Sequence, residues 1–317
     1  FSHPEWVISN ICTVTGHIRA RLEHDSRITS GRKWEVPGLF SAKDGKDHIV
    51  DKDNSFWRAM SFINAATFQE IRNQAHAREA GCGLGIFHSL ISDLEAGRLY
   101  DTLEGFHITP EYLRLFDRAL EKSNVKKRTK DFLFCADFIN ERRQWASVLE
   151  DAKKEEKLII RPIHGDPKFD NIMFDDVGRA VSIIDLDTVK PGLIHYDIGD
   201  CLRSCCNNLE EDTNKTGDVY FKTDLCRAIL QGYVSVAGSI LNDNDYAYIY
   251  DSVRLIAFEL GIRFFTDYLS GNKYFKIKKE EDNLLRALVQ FRLTESIESQ
   301  EQVIRAMINS LKREFDQ

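Results

Sequence analysis

The stretch from Ile163 to Thr188, IHGDPKFDNIMFDDVGRAVSIIDLDT, constrains the fold of this 317-residue chain more than any other segment. Apolar residues 172–174 and 180–184 flank an acidic turn that contains Gly178, and this pattern predicts two strands joined by a tight turn. The polar residues around the two ends of this predicted hairpin are His164, Asp166, Lys168, Asn171, Asp185 and Asp187. The stretch therefore predicts a polar loop held on apolar supports, an arrangement typical of catalytic sites.

The order of these polar residues matches the needs of phosphoryl transfer from a nucleotide. Such transfer needs a carboxylate beside the attacking hydroxyl, and a second carboxylate with an amide on the magnesium ion that bridges the phosphates. Asp166 supplies the first group, and Asn171 with Asp185 supplies the second. A lone H-G-D is more often a solvated turn, but the ordered pattern H-x-D-x-x-x-x-N, hairpin, I-I-D favours a catalytic loop. Protein kinases use H-R-D-x-x-x-x-N and D-F-G with the same logic; here Gly165 replaces the Arg and Leu186 follows the second Asp.

This stretch resembles the aminoglycoside phosphotransferase and choline kinase superfamily, whose members phosphorylate small-molecule alcohols. Within the superfamily, the sequence is most similar to the bacterial N-acetylhexosamine 1-kinases. The segments that carry this narrower resemblance are IDLDTVKPG (184–192), YDIGDCLR (196–203), ELGIRFFTDYLSGNKYFK (259–276) and NLLRALVQFRLTESIE (283–298). Gly165 and Pro167 replace an expected Asn and Thr, and residues 204–206 replace a Phe-Gly-Ala-like stretch. These departures bear on substrate preference more than on chemistry.

The resemblance implies an α+β, protein-kinase-like two-lobed fold. We expect a small β-containing N-lobe over residues 1–63, incomplete in this chain, and a large, mostly helical C-lobe with a substrate subdomain over residues 64–317. A kinase-like small lobe also has a glycine-rich hairpin over the phosphates and a strand with a basic residue, and we expect both to precede Phe1. The motif G-x-G-x-G at residues 81–85 lies in a helical pattern without a preceding strand, so close helix packing explains it better than phosphate binding.

The roles expected of single residues assume ATP and Mg²⁺ as cofactors. Asp166 is expected to accept the proton of the attacking hydroxyl, and Lys168 to offset charge on the transferred phosphoryl group, unless it is a surface lysine. Asn171 and Asp185 are expected to hold Mg²⁺. Asp187 either joins the metal shell through water or orders the loop.

Two further groups of contacts follow from the resemblance alone. The adenine ring is expected to meet backbone groups of the hinge, which consists of Met60, Ser61, Phe62 and Ile63. Arg263 and Tyr274 are expected to contact a sugar acceptor beside Asp166. A salt bridge from Arg263 to Glu259 is the alternative, because the i,i+4 spacing on a helix favours it.

Periodicity predicts the elements that support these sites. A helix is predicted over Pro4 to Glu23, and short strands over residues 34–40, 48–51 and 55–63. Helical patterns follow at residues 67–94, 109–120, 128–154, 196–207, 218–241, 243–269 and 280–311, with 190–192 as a turn. Asp197 is expected to cap its helix or steady the catalytic loop, and Arg203 to pair with an acidic neighbour. The basic run Lys126, Lys127, Arg128 and Lys130 is expected to be a solvated helix start rather than a nucleic-acid patch.

Composition excludes several classes of partner. The net charge of −7 argues against nucleic acid and anionic membranes as main partners. No stretch approaches the roughly 20 apolar residues of a membrane-spanning helix, and the start lacks a signal-peptide pattern, so a cytoplasmic protein is expected. The odd number of cysteines, seven, argues against a disulfide framework. We expect buried, reduced thiols rather than a metal site at Cys201, Cys205 and Cys206.

Three functions remain open from the sequence. The first is an ATP-dependent kinase that transfers the γ-phosphoryl group to a sugar hydroxyl, with the anomeric hydroxyl of an N-acetylhexosamine as the expected acceptor. The second is a kinase of another small alcohol. Choline would favour an aromatic cage and aminoglycosides an acidic rim, for which the run at residues 210–212 is weak support, and homoserine is a further acceptor of this class. The third is a nucleotide-binding protein without turnover. A monomer or weak homodimer is expected.

Overall fold

The computed structural model describes residues 1–24, 27–29, 31–123, 125 and 128–317. Its helices, in chain order, are α1 (Pro4–His24), α2 (Gln74–Ile91), α3 (Thr109–Lys122), α4 (Lys130–Arg142), α5 (Val148–Lys154), α6 (Ile194–Cys206), α7 (Thr223–Ala237), α8 (Asp243–Leu269), α9 (Asp282–Ser299) and α10 (Glu301–Asp316). Its strands are β1 (Leu39–Phe40), β2 (Ile49–Val50), β3 (Phe56–Trp57), β4 (Ala59–Met60), β5 (Arg161–Ile163), β6 (Ile172–Phe174), β7 (Ala180–Ile183) and β8 (Lys190–Gly192). Lys126 and Lys127 of the basic run lie outside the described residues.

The N-terminal part contains α1 and two small antiparallel sheets. α1 matches the predicted helix to within one residue, because its apolar residues repeat at helical spacing and are buried. β1 pairs with β4 and β2 pairs with β3, and each of these strands is 2 residues long. The predicted strands are therefore too long. Pro37 and Gly38 lie within the first, where proline has no N–H for a ladder, and Arg58 separates β3 from β4.

The hairpin at the centre of the sequence is formed by β6 and β7, with Ile172 opposite Ile183. Gly178 in its turn has a φ of +82°, which suits a residue without a side chain. The predicted hairpin is thus confirmed. A second antiparallel pair joins β5 to β8, with Ile163 opposite Lys190. The prediction of a turn at residues 190–192 is wrong, because pairing with a strand distant in sequence overrides the local Lys-Pro-Gly signal.

The C-terminal part is built around α2 and α7, whose backbones are in contact. A Cβ atom on Gly81 would lie 1.9 Å from the carbonyl oxygen of Ile229. A Cβ atom on Gly232 would lie 1.9 Å from the carbonyl oxygen of Arg78. Only glycine permits such an approach, so the prediction that G-x-G-x-G serves close helix packing is confirmed.

Several helix bounds differ from their predictions for identifiable reasons. α2 begins seven residues later than predicted, because the side chain of Asn73 caps its first turn. The predicted helix ahead of the catalytic loop is divided into α4 and α5 by a short 3₁₀ turn. The last predicted helix is divided into α9 and α10 at Gln300, whose side chain donates to the carbonyl oxygen of Phe221 (3.0 Å).

The buried apolar residues form two clusters, and the larger one includes the residues that flank the loop between β5 and β6. The larger cluster joins α1, α2, α6 and α7 with the hairpin β6–β7. The smaller cluster is rich in phenylalanine and joins α3, α4, α8 and α9. Within the described ranges, none of the helices combines the length and apolar character that crossing a membrane requires.

Candidate functional site

One buried carboxylate anchors the loop between β5 and β6. Asp197 on α6 is 0% exposed and accepts the backbone N–H of His164 (2.7 Å), the backbone N–H of Gly165 (2.8 Å) and Nε2 of His88 (2.9 Å). His88 is held in turn by Tyr233 on α7, whose hydroxyl lies 2.9 Å from Nδ1. Burial acts to raise the pKa of Asp197, but the hydrogen bond and charge of His88 bring it below its ordinary value. Asp197 steadies the catalytic loop, which is one of its two predicted roles.

His164 ties the same loop to the end of β7. Its Nε2 donates to the carbonyl oxygen of Ile184 (3.0 Å), and its Nδ1 accepts the N–H of Asp166 (3.2 Å). This pattern requires a neutral imidazole. Burial lowers the pKa of His164, in agreement with that neutral form.

Asp166 and Lys168 lie together on this loop, with 34% and 39% of their side chains exposed. Nζ of Lys168 is 3.5 Å from Oδ2 of Asp166. Burial, followed by the charge of Asp200, raises the pKa of Asp166 to about 7 against the opposing charges of Lys168 and Arg203. Burial acts to lower the pKa of Lys168, but Asp166 and other carboxylates raise it, so the ammonium group stays charged. Lys168 is therefore not an isolated surface lysine.

The hairpin brings Asn171 and Asp185 together. The N–H of Ile184 donates to the carbonyl oxygen of Asn171 (2.9 Å), so the next residue, Asp185, lies beside Asn171. Nδ2 of Asn171 donates to the carbonyl oxygen of Asp166 (2.9 Å), which leaves Oδ1 as the atom available to a ligand. Asp185 has a φ of +64°, uncommon for a residue with a side chain. Amide and carboxylate oxygens are hard ligands, so these residues fit the predicted Mg²⁺.

Asp187 is engaged by the N-terminal part of the chain. It forms an ion pair with Arg58, the residue between β3 and β4. This contact is consistent with ordering of the loop, and a place for Asp187 in the metal shell stays a prediction. Across the part of the chain that the structure describes, no three or more His, Cys, Asp or Glu side chains are grouped to hold a metal ion. A cation at Asn171 and Asp185 would therefore need further oxygen ligands, such as those of nucleotide phosphates.

The predicted hinge is partly engaged and partly exposed. The N–H of Ser61 donates to the carbonyl oxygen of Gly38 (2.8 Å), and its hydroxyl accepts the N–H of Gly38 (2.8 Å). Met60 pairs within the β1–β4 ladder, and Ile63 is buried. The side chain of Phe62 is 87% exposed. A role of these four residues in adenine binding stays a prediction.

A cavity of about 1000 Å³ adjoins the catalytic loop. Asp166 and Lys168 line it, and so do Arg263 on α8 and Tyr274 beyond the end of that helix. The structure therefore brings all four residues predicted to contact an acceptor to one cavity, although residues 166 and 274 lie far apart in sequence.

Arg263 lies among aromatic rings. Its guanidinium carbon is 5.1 Å from the ring centre of Phe106, 5.3 Å from that of Tyr112 and 5.7 Å from that of Phe275. Distances of this kind are typical of cation–π contacts, which orient a guanidinium group while leaving its N–H donors for other partners.

Glu259, the alternative partner predicted for Arg263, supports the catalytic loop instead. Its carboxylate is buried and accepts Nδ1 of His107 (3.0 Å) and the hydroxyl of Thr109 (2.8 Å). The other ring nitrogen of His107 lies 3.0 Å from the carbonyl oxygen of Gly165. Burial acts to lower the pKa of His107, but the charge and hydrogen bond of Glu259 raise it above its ordinary value. The oxygens of Glu259 thus serve these donors rather than Arg263.

The segment that carries Tyr274 is positioned through its backbone. The carboxylate of Asp267 accepts the N–H groups of Lys273 (2.8 Å), Tyr274 (2.9 Å) and Phe275 (2.9 Å). The ring of Tyr274 is 74% exposed, so its main chain is fixed while its side chain faces the open part of the cavity.

Arginines compensate two of the three acids at residues 210–212. Nη1 of Arg203 donates to Oε1 of Glu211 (2.7 Å), and Nε of Arg286 donates to Oδ1 of Asp212 (2.6 Å). The acidic run is therefore a poorer site for a cationic ligand than its sequence indicates.

Sequence reasoning missed Asp200 and its partner Arg203 as residues of the cavity. Their spacing held a signal, because residues 200 and 203 are i,i+3 neighbours on one face of α6. It also missed the pairing of His107 with Glu259, because these residues are distant in sequence and meet only in the folded chain. The cysteines are free thiols, and all but Cys12 are buried.

Comparisons with known proteins identify a matching family and similar structures. The model of the phosphotransferase enzyme family matches residues 27–229, more than half of the chain. An aminoglycoside phosphotransferase from Alicyclobacillus acidocaldarius has a similar structure (TM-score 0.56, 13% identity), covering 95% of this chain and 84% of that chain. A choline kinase from Cryptosporidium parvum is also similar (TM-score 0.52, 13% identity; 94% of this chain and 82% of that chain). So is an ethanolamine kinase from Plasmodium vivax (TM-score 0.50, 15% identity; 87% and 73%).

At these identities the solved structures establish the fold alone, which is the predicted α+β, two-lobed, kinase-like fold. The match to the family model extends over the catalytic loop, the hairpin and α6. The chain therefore belongs to the phosphotransferase enzyme family.

Proposed function

We propose that the protein is an ATP-dependent small-molecule kinase that phosphorylates a sugar hydroxyl, with the anomeric hydroxyl of an N-acetylhexosamine as acceptor. Membership of the phosphotransferase family supports the reaction class. The observation that carries the proposal is the cavity in which Asp166 and Lys168 share one space with Arg263 and Tyr274. That space presents a base, a cation and polar side chains to one ligand.

Asp166 is the proposed base. Its pKa, raised to about 7, makes it a stronger base than an ordinary carboxylate. It accepts a hydrogen bond from the acceptor hydroxyl and takes the proton as the acceptor oxygen bonds to the γ-phosphorus and the bond to the departing ADP breaks. The loop backbone stays in place during this step because Asp197 holds it directly and Glu259 holds it through His107.

Lys168 lies next to the base and offsets the negative charge of the transferring phosphoryl group. Asn171 and Asp185 would hold Mg²⁺, which when bound neutralises charge on the nucleotide phosphates. Asp187 orders the loop through Arg58 or reaches the metal through water. The hinge of residues 60–63 would meet adenine through backbone groups.

Two observations favour a neutral polyol over a cationic acceptor. The guanidinium group of Arg263 already occupies the space among the rings of Phe106, Tyr112 and Phe275, so these rings cannot also surround the ammonium group of choline. Arginine offers only hydrogen-bond donors, which suit sugar and acetamide oxygens. The acids that a cationic aminoglycoside would seek are largely compensated.

A larger acceptor is the second candidate, and the volume of the cavity favours it. About 1000 Å³ lies at the upper end of the range for small-molecule sites, roughly 300–1000 Å³. An aminoglycoside or oligosaccharide would use the same base. A nucleotide-binding protein without turnover is less favoured, because the Asp166, Asn171 and Asp185 set is intact. Cytoplasmic location, a monomeric or weakly dimeric state and a lobe boundary at residue 63 stay predictions.

The first test is ATP- and Mg²⁺-dependent phosphorylation of N-acetylglucosamine, N-acetylgalactosamine, glucose, choline, homoserine and kanamycin by the full-length protein. Asp166→Asn should lower kcat by about 10²- to 10⁴-fold, the usual contribution of a general base. Asp176→Asn is the matched control, since it makes the same chemical change at an exposed turn residue of the hairpin and should keep the rate.

The product distinguishes the candidates. A sugar 1-phosphate formed by the wild type and the control, but not by Asp166→Asn, is the expected result. Phosphorylation of kanamycin, choline or homoserine alone would replace the proposed acceptor and keep the mechanism. ATP binding without transfer to any acceptor would contradict the proposal.

A further inference from the structure

Asp200 and Arg203 form a buried pair on α6, beside the proposed base. Nε and Nη2 of Arg203 both approach Oδ1 of Asp200, at 2.9 and 2.8 Å. Nη1 of Arg203 donates to Oε1 of Glu211 (2.7 Å). Both contacts of Arg203 with Asp200 are therefore made to the same carboxylate oxygen.

The other oxygen, Oδ2 of Asp200, is buried and has no hydrogen-bond partner among the residues that the structure describes. The residue is only 6% exposed, and it lines the same cavity as Asp166 and Lys168. A buried carboxylate oxygen without a donor carries a desolvation cost, so such an oxygen at a cavity wall is suited to a donor on a ligand.

We propose that Oδ2 of Asp200 accepts a hydrogen bond from a second hydroxyl of the acceptor, one that is not phosphorylated. Asp200 then determines specificity, because it selects acceptors with a second hydroxyl group over simple alcohols. This inference rests on the proposed function and adds a residue and a substrate feature to it.

The charges around Asp200 explain why the donor is a hydroxyl. Asp200 already has one charged partner, the guanidinium group of Arg203, so its second oxygen needs only a neutral donor such as a hydroxyl to complete its hydrogen bonds. After burial itself, the charge of Asp200 is the largest influence raising the pKa of Asp166. Asp166 and Asp200 also line the same cavity, so one ligand in that cavity can contact both carboxylates.

The test combines Asp200→Asn with acceptors that lack one hydroxyl. The probes are the sugar that the wild type phosphorylates and its single-deoxy analogues at each ring position that does not react. For one analogue, the wild type should lose kcat/KM by roughly 10- to 100-fold, the usual effect of a hydrogen bond to a charged group. The Asp200→Asn variant should have a kcat/KM for the parent sugar that is lower than that of the wild type by a similar factor. Removing the hydroxyl from the sugar should lower the kcat/KM of this variant little further, and its KM for ATP should equal that of the wild type.

Glu211→Gln is the control for a merely structural effect. It removes the other carboxylate partner of Arg203 and leaves Asp200 in place, so the wild-type preference for the parent sugar over the analogue should persist. Should Asp200→Asn fail to fold, calorimetric binding of the same sugars to the wild type gives the answer. One analogue should bind more weakly than the others, and equal binding of all analogues and the parent overturns the inference.

The two proposals fail differently. An unchanged preference between parent and analogue in folded Asp200→Asn would contradict the role of Asp200 and leave the sugar kinase standing. A wild type that phosphorylates no sugar would contradict the proposed function, and the inference would fall with it.

Discussion

The catalytic loop and the β1–β4 region, which the ion pair of Arg58 with Asp187 connects, are held in different ways. The loop is fixed by side chains buried in the C-terminal part, where His164 and Asp197 are both 0% exposed. The β1–β4 region consists of 2-residue strands most of whose apolar side chains are exposed, as Trp57 is over 62% of its surface. Buried hydrogen-bond networks rigidify what they hold, whereas short exposed ladders contribute little.

This difference separates the two halves of the proposed reaction. Asp166, the proposed base, lies on a loop that Asp197 of α6 holds, and Arg263 lies on α8, so substitutions in these supports should lower stability as well as rate. The proposed adenine contacts lie in a region with little burial, so substitutions there should weaken nucleotide binding and leave the free energy of unfolding nearly unchanged.

Asp197→Asn should give the largest loss of stability. Both carboxylate oxygens of Asp197 accept backbone N–H groups, and the asparagine side chain would place its NH₂ group against one of these donors. Breaking a buried charged network of this kind costs about 3–5 kcal/mol of stability. Because the pKa of Asp197 is lowered in the folded state, its contribution is present above the unfolded-state value of about 4 and is lost as pH falls through the folded-state pKa. Denaturant unfolding of wild type and variant between pH 7 and pH 3 measures this.

The difference in free energy of unfolding between the wild type and Asp197→Asn should therefore be largest near neutral pH and should decrease below about pH 4. His88 and His164 also face this carboxylate, so Asp176→Asn, which touches neither, is run beside it. A gap that stays constant with pH would show that shape rather than charge holds the loop.

Gly81→Ala and Gly16→Ala compare helix packing in the two parts of the molecule. At residue 81 the new methyl group meets the carbonyl oxygen of Ile229, and overpacking of this kind costs about 1–3 kcal/mol or more. At residue 16 of α1 nothing lies within 4 Å of the new methyl group, so alanine should stabilise by roughly 0.5–1 kcal/mol through helix propensity. Thermal unfolding of both variants should show shifts of opposite sign, and equal shifts would contradict the backbone contact of α2 with α7.

Arg58→Gln should have the smallest effect on stability. Its ion pair with Asp187 is about one-quarter exposed, and such pairs contribute less than about 1 kcal/mol. If Asp187 joins the metal shell, loss of its competing cation should lower the Mg²⁺ concentration that gives half-maximal rate. Lys46→Gln, at an exposed lysine paired with Asp44, serves as the control. An unchanged Mg²⁺ dependence would favour the loop-ordering role of Asp187.

Local patterns predicted most of the fold and part of the site. α1, the hairpin and the helix α8 follow from periodicity and turn residues, which act within a few positions. The strand at residues 190–192 and the break at Gln300 depend on contacts with Ile163 and Phe221, and no local signal reports such partners. The family pattern led to Asp166, but it did not lead to Asp200. Asp200 stands out only because one of its two carboxylate oxygens has no hydrogen-bond partner, and that fact is visible only in the folded structure.

Backbone contact between α2 and α7 makes the placement of the base depend on positions far from any ligand. Gly81 and Gly232 set the separation of these helices, and the pair His88 and Tyr233 spans the same separation to reach Asp197. Misplacement of a reacting group by about 1 Å can reduce a rate by roughly 10²-fold. A substitution at the contact of α2 with α7 can therefore abolish activity even when every polar residue of the site is kept. Inspection of the loop motif alone thus overestimates the number of related sequences that are active.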